Sequence, residues 1–185
     1  MFLFPKPYAD AVARLRVPSG FLMLAAFVWL SRPRVWSLAL GLPVALAGLW
    51  LRAWAAGCLA KNQRLATGGP YAYTRNPLYL GTLLVAAGLA IASRSAALAV
   101  LFAVVFVLVY LPVIELEEQH LRSLFPEYIQ YATAVPRLWP RIGEPSRSAF
   151  KPAPFCWPRY SENREYQAGA AFGVGILFLL WKTFR

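Results

Sequence analysis

The chain has 185 residues, of which 59% are hydrophobic and 15% charged, and its mean hydropathy is +0.49. A soluble domain carries more charge than this, and a chain with so much apolar surface is not a disordered one. The 19 Lys and Arg exceed the 8 Asp and Glu by 11 charges, yet they stand beside 7 Trp and 12 Phe in long uncharged runs. Membrane lipids, rather than nucleic acid, are therefore the expected partner of the basic charge.

The length suits one domain over residues 1–185. Residues 1–10 lack the basic start and apolar core of a cleavable signal, so none is expected. An uncharged stretch at 17–31 is short for a span of about 20 residues, but Arg14, Arg16, Arg32 and Arg34 are placed to snorkel from its two ends. The second stretch, 35–60, is broken only by Arg52. An arginine inside an apolar helix is costly and marks a candidate site, with Glu117 or Glu118 as the expected partner; snorkelling to the interface is the competing reading. Stretches at 78–93 and 95–114 form a predicted helical hairpin, and 166–182 is a short C-terminal hydrophobic helix. In that last helix the Gly169-x-x-x-Gly173 spacing is compatible with close helix contact. The expected fold is thus an all-α integral membrane bundle of about five transmembrane helices.

The basic residues orient it. With the N-terminus inside, fourteen Lys and Arg lie on the cytoplasmic side and five outside, which favours cytoplasmic placement of the N-terminus and of both long polar connections. The connection at 136–165 is rich in proline and aromatics and cannot be one continuous helix. It reads as a tether for the last helix or as a cover for the preceding loop, with the tether favoured.

Two segments carry chemistry. Before the hairpin, Gly68, Gly69 and Pro70 enforce a turn, and Pro77 sits where a helix begins. Arg75 and Asn76 then fall at the positive end of that helix, among donors suited to a carboxylate or carbonyl. An interfacial belt of Tyr71, Tyr73 and Tyr79 with a snorkelling arginine is the plainer reading. After the hairpin, helical periodicity places Glu117 or Glu118 on one face with Leu121, Leu124 or Phe125, and Tyr128, and puts Glu115, Gln119 and Arg122 on the opposite polar face. A carboxylate on the apolar face requires a cation or donors. Arg52, Arg75 and a ligand ammonium are the candidates, against a structural ion pair closing the bundle. His120 falls between the faces and is expected in solvent. No metal site is expected from two cysteines without zinc-like spacing and one histidine.

The run Arg64-Leu65, then Gly69-Pro70-Tyr71, then Arg75-Asn76-Pro77-Leu78-Tyr79-Leu80-Gly81 resembles the signature of the isoprenylcysteine carboxyl methyltransferase and phospholipid methyltransferase superfamily. Glu117-Glu118, Leu121, Phe125, Tyr128, Tyr131 and Val135-Pro136 are similar to its second signature, in order and spacing. The resemblance implies a membrane-embedded enzyme that uses S-adenosyl-L-methionine and methylates a lipophilic acceptor, an isoprenylcysteine-type carboxylate or a lipid amine. It assigns cofactor contacts to Gln63, Arg64, Leu65, Ala66, Tyr71, Asn76, Pro77, Leu78, Tyr79 and Glu117. Catalytic candidates are Arg75, Glu118 and Arg52. Asn76 and Gln63 stand where the family usually has histidines; both hydrogen-bond but neither titrates. Val113 stands where carboxyl-methylating members carry an arginine, which removes one partner for an acceptor carboxylate. A membrane reductase of the sterol-reductase type using NADPH, and a non-catalytic membrane scaffold, are the alternative readings.

Overall fold

A computed structural model of the chain describes residues 4–140 and 154–185. Every described regular element is helical: α1 (Lys6–Ala13), α2 (Arg16–Leu30), α3 (Val35–Cys58), α4 (Pro77–Ala92), α5 (Ala96–Val105), α6 (Leu111–Leu124), α7 (Tyr128–Ala134), α8 (Trp157–Glu162) and α9 (Tyr166–Phe184). A π-helical turn, Phe106–Tyr110, joins α5 to α6 into one 29-residue helix.

All five expected hydrophobic segments are helical, but fewer of them have the length of a span. Three helices, Val35–Cys58, Ala96–Leu124 and Tyr166–Phe184, are long and apolar enough to cross a membrane, and the bent pair Pro7–Ala13 with Val17–Leu30 raises the number to 4 if it is one span. Helix α4 has 16 residues, roughly 24 Å at about 1.5 Å per residue, against a hydrocarbon core of about 30 Å. It is carried by its partner instead, because α4 packs along α3 more closely than along α5.

Glycine makes that contact possible. A Cβ on Gly88 would stand 2.4 Å from the Ala45 amide nitrogen, and one on Gly48 would stand 2.6 Å from the Gly81 carbonyl oxygen. The two backbones therefore approach as only small residues allow. By contrast, Gly169 and Gly173 have nothing within 4 Å where a side chain would go, so the spacing noted in the last helix mediates no contact within the described residues. Gly88→Val is expected to lower stability in detergent by at least about 1–3 kcal/mol, since its branches meet backbone rather than a yielding side chain. Gly169→Val is expected to stay within about 0.5 kcal/mol of the parent. Thermal unfolding of the two variants checks both.

The two ends of the bundle are fastened differently. At one end the Arg32 amide donates to the Ser93 carbonyl at 2.8 Å, and the buried Ser37 hydroxyl donates to the Ala92 carbonyl at 2.8 Å. There Leu179 of α9 is buried with Leu38 and Ala92, and Lys182 donates to the Val28 carbonyl at 2.9 Å. At the other end, the chain following α8 closes over α3. Asn163 Nδ2 donates to the Ala56 and Leu59 carbonyls, both at 3.0 Å, and so caps the C-terminus of α3. The Cys156 amide donates to the Gly57 carbonyl at 3.0 Å, and the Phe155 ring lies where a Cβ on Gly57 would be.

Candidate functional site

The turn between α3 and α4 is held from several sides. Asn62 and Gly69 take left-handed backbone at φ 58 and 61, conformations that these two residue types tolerate. Pro70 and Tyr71 then lie in a short 3-10 turn, Gly69–Ala72, with both residues buried. From α7, the Tyr131 hydroxyl donates to the Tyr71 carbonyl at 2.7 Å. The segment after α7 runs beside the residues before α4. The Arg75 amide donates to the Pro136 carbonyl at 2.9 Å, the Thr74 hydroxyl to the Leu138 carbonyl at 2.9 Å, and Asn76 Nδ2 to the Arg137 carbonyl at 3.0 Å.

Glu117 and Glu118 are adjacent in sequence and divide into different roles. Glu118 is buried at 2% exposure, and its Oε1 lies 3.4 Å from Arg75 Nη1 while its Oε2 lies 3.2 Å from Arg137 Nη2. Asn76 Nδ2 donates to it at 3.2 Å. It does not line the cavity described below, so this carboxylate gathers α4, α6 and the 136–138 segment rather than meeting a ligand. Glu117, one residue earlier, is exposed toward the cavity and accepts from the Tyr79 hydroxyl at 2.8 Å.

Arg52 has a different partner from the one expected. Its Nε and Nη2 meet Glu165 Oε1 at 2.6 Å and Oε2 at 3.0 Å, a bidentate pair. Its Nη1 donates to the Thr82 hydroxyl and, at 3.4 Å, to the Leu78 carbonyl. The partner comes from the start of α9 because the α8 segment folds back onto α3. The described part of the 136–165 connection is thus a wall of the site and more than a tether; residues 141–153 lie outside the described residues.

These groups surround a cavity of about 690 Å³, within the range of small-molecule sites. Arg64, Leu65, Ala66, Tyr71, Asn76, Pro77, Leu78, Tyr79 and Glu117 all line it, as do Arg52 and Arg75. Gln63 is exposed on the turn and is absent from the lining. Thr82, Tyr110, His120, Asn163 and Glu165 are among the other residues that line it, and sequence reasoning missed them. Tyr110 ends the π-helical turn, where the Tyr8 hydroxyl donates to the Leu108 carbonyl at 3.0 Å, and its ring meets Tyr79 edge-on at 6.2 Å. Such turns within helices frequently accompany functional sites. Glu115, expected on a polar face, is instead buried at 1% exposure. His120 is exposed, as expected.

Burial raises the phenol pKa of three tyrosines in or near the cavity. Burial pushes the Tyr128 phenol from 10.0 up to about 12, the nearby Glu118 charge adding to the effect and Arg75 opposing it. Burial also raises Tyr71 and Tyr131. Folded-state values above the unfolded ones give stability that is intact below pH 10 and lost as pH rises. Unfolding followed in detergent is expected to show falling stability between pH 10.0 and about 12, and a smaller fall in Tyr128→Phe.

Residues 20–128 match the model of the phospholipid methyltransferase family. The cobalt-zinc-cadmium resistance protein CzcN of Cupriavidus metallidurans is 39% identical over 104 residues, covering 56% of this chain and 47% of that protein. The nickel-cobalt-cadmium resistance protein NccN of Alcaligenes xylosoxydans xylosoxydans is 35% identical over 115 residues, covering 62% of this chain and 53% of that protein. The chain thus spans about half the length of the curated relatives it matches. No solved structure matches it. The family match takes in more than half of a helical membrane protein and both segments that meet at Glu118 and Asn76, and the chain belongs to the phospholipid methyltransferase family.

Proposed function

We propose that the protein is a membrane methyltransferase that uses S-adenosyl-L-methionine and transfers its methyl group to a lipophilic acceptor bearing an amine, thiol or carboxyl group. The observation that carries this reading is the single cavity in which Glu117, Tyr79, Asn76 and the 64–66 turn stand together with Arg52 and Thr82 of the apolar helices. The lining suits the cofactor. Glu117 supplies a carboxylate for an ammonium, Tyr71 and Tyr79 supply aromatic faces that favour a cationic centre, and Arg75 brings a buried Nε that has no hydrogen-bond partner among the described residues. When bound, the cofactor would supply an activated methyl group on a sulfonium.

The chain's own part is then positioning and exclusion of water. Tyr79 orients the Glu117 carboxylate through its hydroxyl. Glu118 fixes Arg75 and Asn76 at the start of α4. The acceptor's nucleophile would enter from the side of Arg52, Thr82 and Tyr110, where the cavity meets the membrane helices. The surplus of basic residues around the motif-bearing segments supports a cytoplasmic opening.

Incubation of the detergent-solubilised protein with tritiated-methyl S-adenosylmethionine and a panel of phosphatidylethanolamine, farnesylcysteine and small lipophilic thiols tests the reading. Label is expected in at least one lipophilic acceptor, and is expected to fall strongly, at sub-saturating cofactor, with Glu117→Gln. Failure to label any of them, with NADPH-dependent reduction of a sterol instead, would replace it by the reductase reading.

A further inference from the structure

Glu165 lies at the end of the 154–165 segment and is buried at 7% exposure, yet it lines the cavity together with its partner Arg52. A guanidinium facing a cavity is the side chain best shaped to grip a carboxylate or phosphate with two parallel hydrogen bonds. Here that fork is already filled: Nε and Nη2 of Arg52 are held by the two oxygens of Glu165, and Nη1 turns to Thr82 and Leu78. The neighbouring arginines have a carboxylate partner as well, although Arg75 uses Nη1 for it and keeps a buried Nε without a hydrogen-bond partner among the described residues. Arg75 and Arg137 both pair with Glu118, and Val113 is buried against Tyr79 and Phe106 rather than facing the cavity. Lys61 and Arg64 also line the cavity, but they are exposed on the turn after α3.

An acceptor with an anionic reacting group would meet two obstacles at Arg52. It must displace a tethered carboxylate present at high effective concentration, and it must leave that carboxylate buried without its cation. A neutral amine or thiol meets neither. We propose that Glu165 is a specificity-determining residue. By occupying the Arg52 guanidinium it rejects acceptors that present a carboxylate and selects a lipophilic amine or thiol.

The inference rests on the methyltransferase reading and narrows it. In the selected reaction the acceptor nitrogen or sulfur lone pair forms a bond to the methyl carbon as the carbon–sulfonium bond breaks. The electron pair of that bond would stay on the cofactor sulfur, and the acceptor's proton would leave to bulk water through the cytoplasmic opening.

The test is equilibrium binding of N-acetyl-S-farnesylcysteine and of its methyl ester to the detergent-solubilised protein, followed by tryptophan fluorescence, for wild type, Glu165→Gln and Glu165→Asp. The ratio of acid to ester affinity is the readout, because a purely structural role for Glu165 would weaken both ligands together. Wild type and Glu165→Asp are expected to bind the acid no better than the ester. In Glu165→Gln, where Arg52 is released, the ratio is expected to rise at least about tenfold. An unchanged ratio in Glu165→Gln, or a wild type that already prefers the acid, overturns the proposal, and the second outcome stands even if the variant does not fold. S-adenosylhomocysteine binding in the same preparations scores the methyltransferase reading separately: its loss in wild type sinks that reading without altering the acid-to-ester comparison.

Discussion

Glu118→Ala is expected to lower the stability of the detergent-solubilised protein by about 3–5 kcal/mol, the range for breaking a buried ion pair from one side. The carboxylate is almost wholly buried and faces two guanidiniums, Arg75 and Arg137, and the Asn76 amide. Removing it leaves the arginines opposed to each other in a poorly solvated place and releases the 136–138 segment from the start of α4. Glu118→Gln keeps the size and an acceptor for Asn76, so it is expected to recover part of the loss but not the share due to charge. Denaturant unfolding measures both. A loss for Glu118→Ala below about 1 kcal/mol, the scale of exposed pairs, would contradict the placement of this residue.

Glu117→Gln should behave in the opposite manner. Its carboxylate faces the cavity and accepts from Tyr79, so the fold is expected to tolerate the change while S-adenosylhomocysteine affinity falls by about 1.5–3 kcal/mol, the worth of a hydrogen bond to a charged group. Tyr79→Phe removes only the orienting hydroxyl and is expected to cost about 0.5–1.5 kcal/mol of the same affinity. Titration calorimetry beside melting curves separates the two neighbouring glutamates: one acts on affinity, the other on stability.

The contrast marks what the sequence makes legible. Helical periodicity identifies Glu117 and Glu118 as a pair near an apolar stripe, but one residue is a rotation of about 100° on a helix, and only the packing of α4 and the 136–138 segment decides which one is buried. The turn of 64–77 is legible because Gly, Pro and Tyr dictate it locally, and nine of the ten residues expected around the cofactor line the cavity. Gln63 departs: it is exposed on the turn after α3 and does not line the cavity, although Lys61, Asn62 and Arg64 beside it do.

The Arg52–Glu165 pair joins residues 113 positions apart, and no periodicity reports such a distance. A signal existed nonetheless: an arginine within an apolar helix requires an acid, and Glu165 stands just before the next hydrophobic run. Glu115 misleads for a related reason: it is buried by tertiary packing, which helical periodicity does not report. The close α3–α4 contact was also within reach. Gly41 and Gly48 on one helix, and Gly81 and Gly88 on the other, share a seven-residue spacing that keeps each pair on one face, whereas the more familiar spacing in α9 faces open space.

The most direct measurement is a calorimetric titration of S-adenosylhomocysteine into the detergent-solubilised wild-type protein and Glu117→Gln, with NADPH as the comparison ligand. Saturable one-site binding to wild type, weakened in a Glu117→Gln protein of unchanged melting temperature, and no binding of NADPH, is the expected result. Equal affinity in the two proteins, or saturable binding of NADPH in place of S-adenosylhomocysteine, would contradict a methyltransferase cavity built around Glu117.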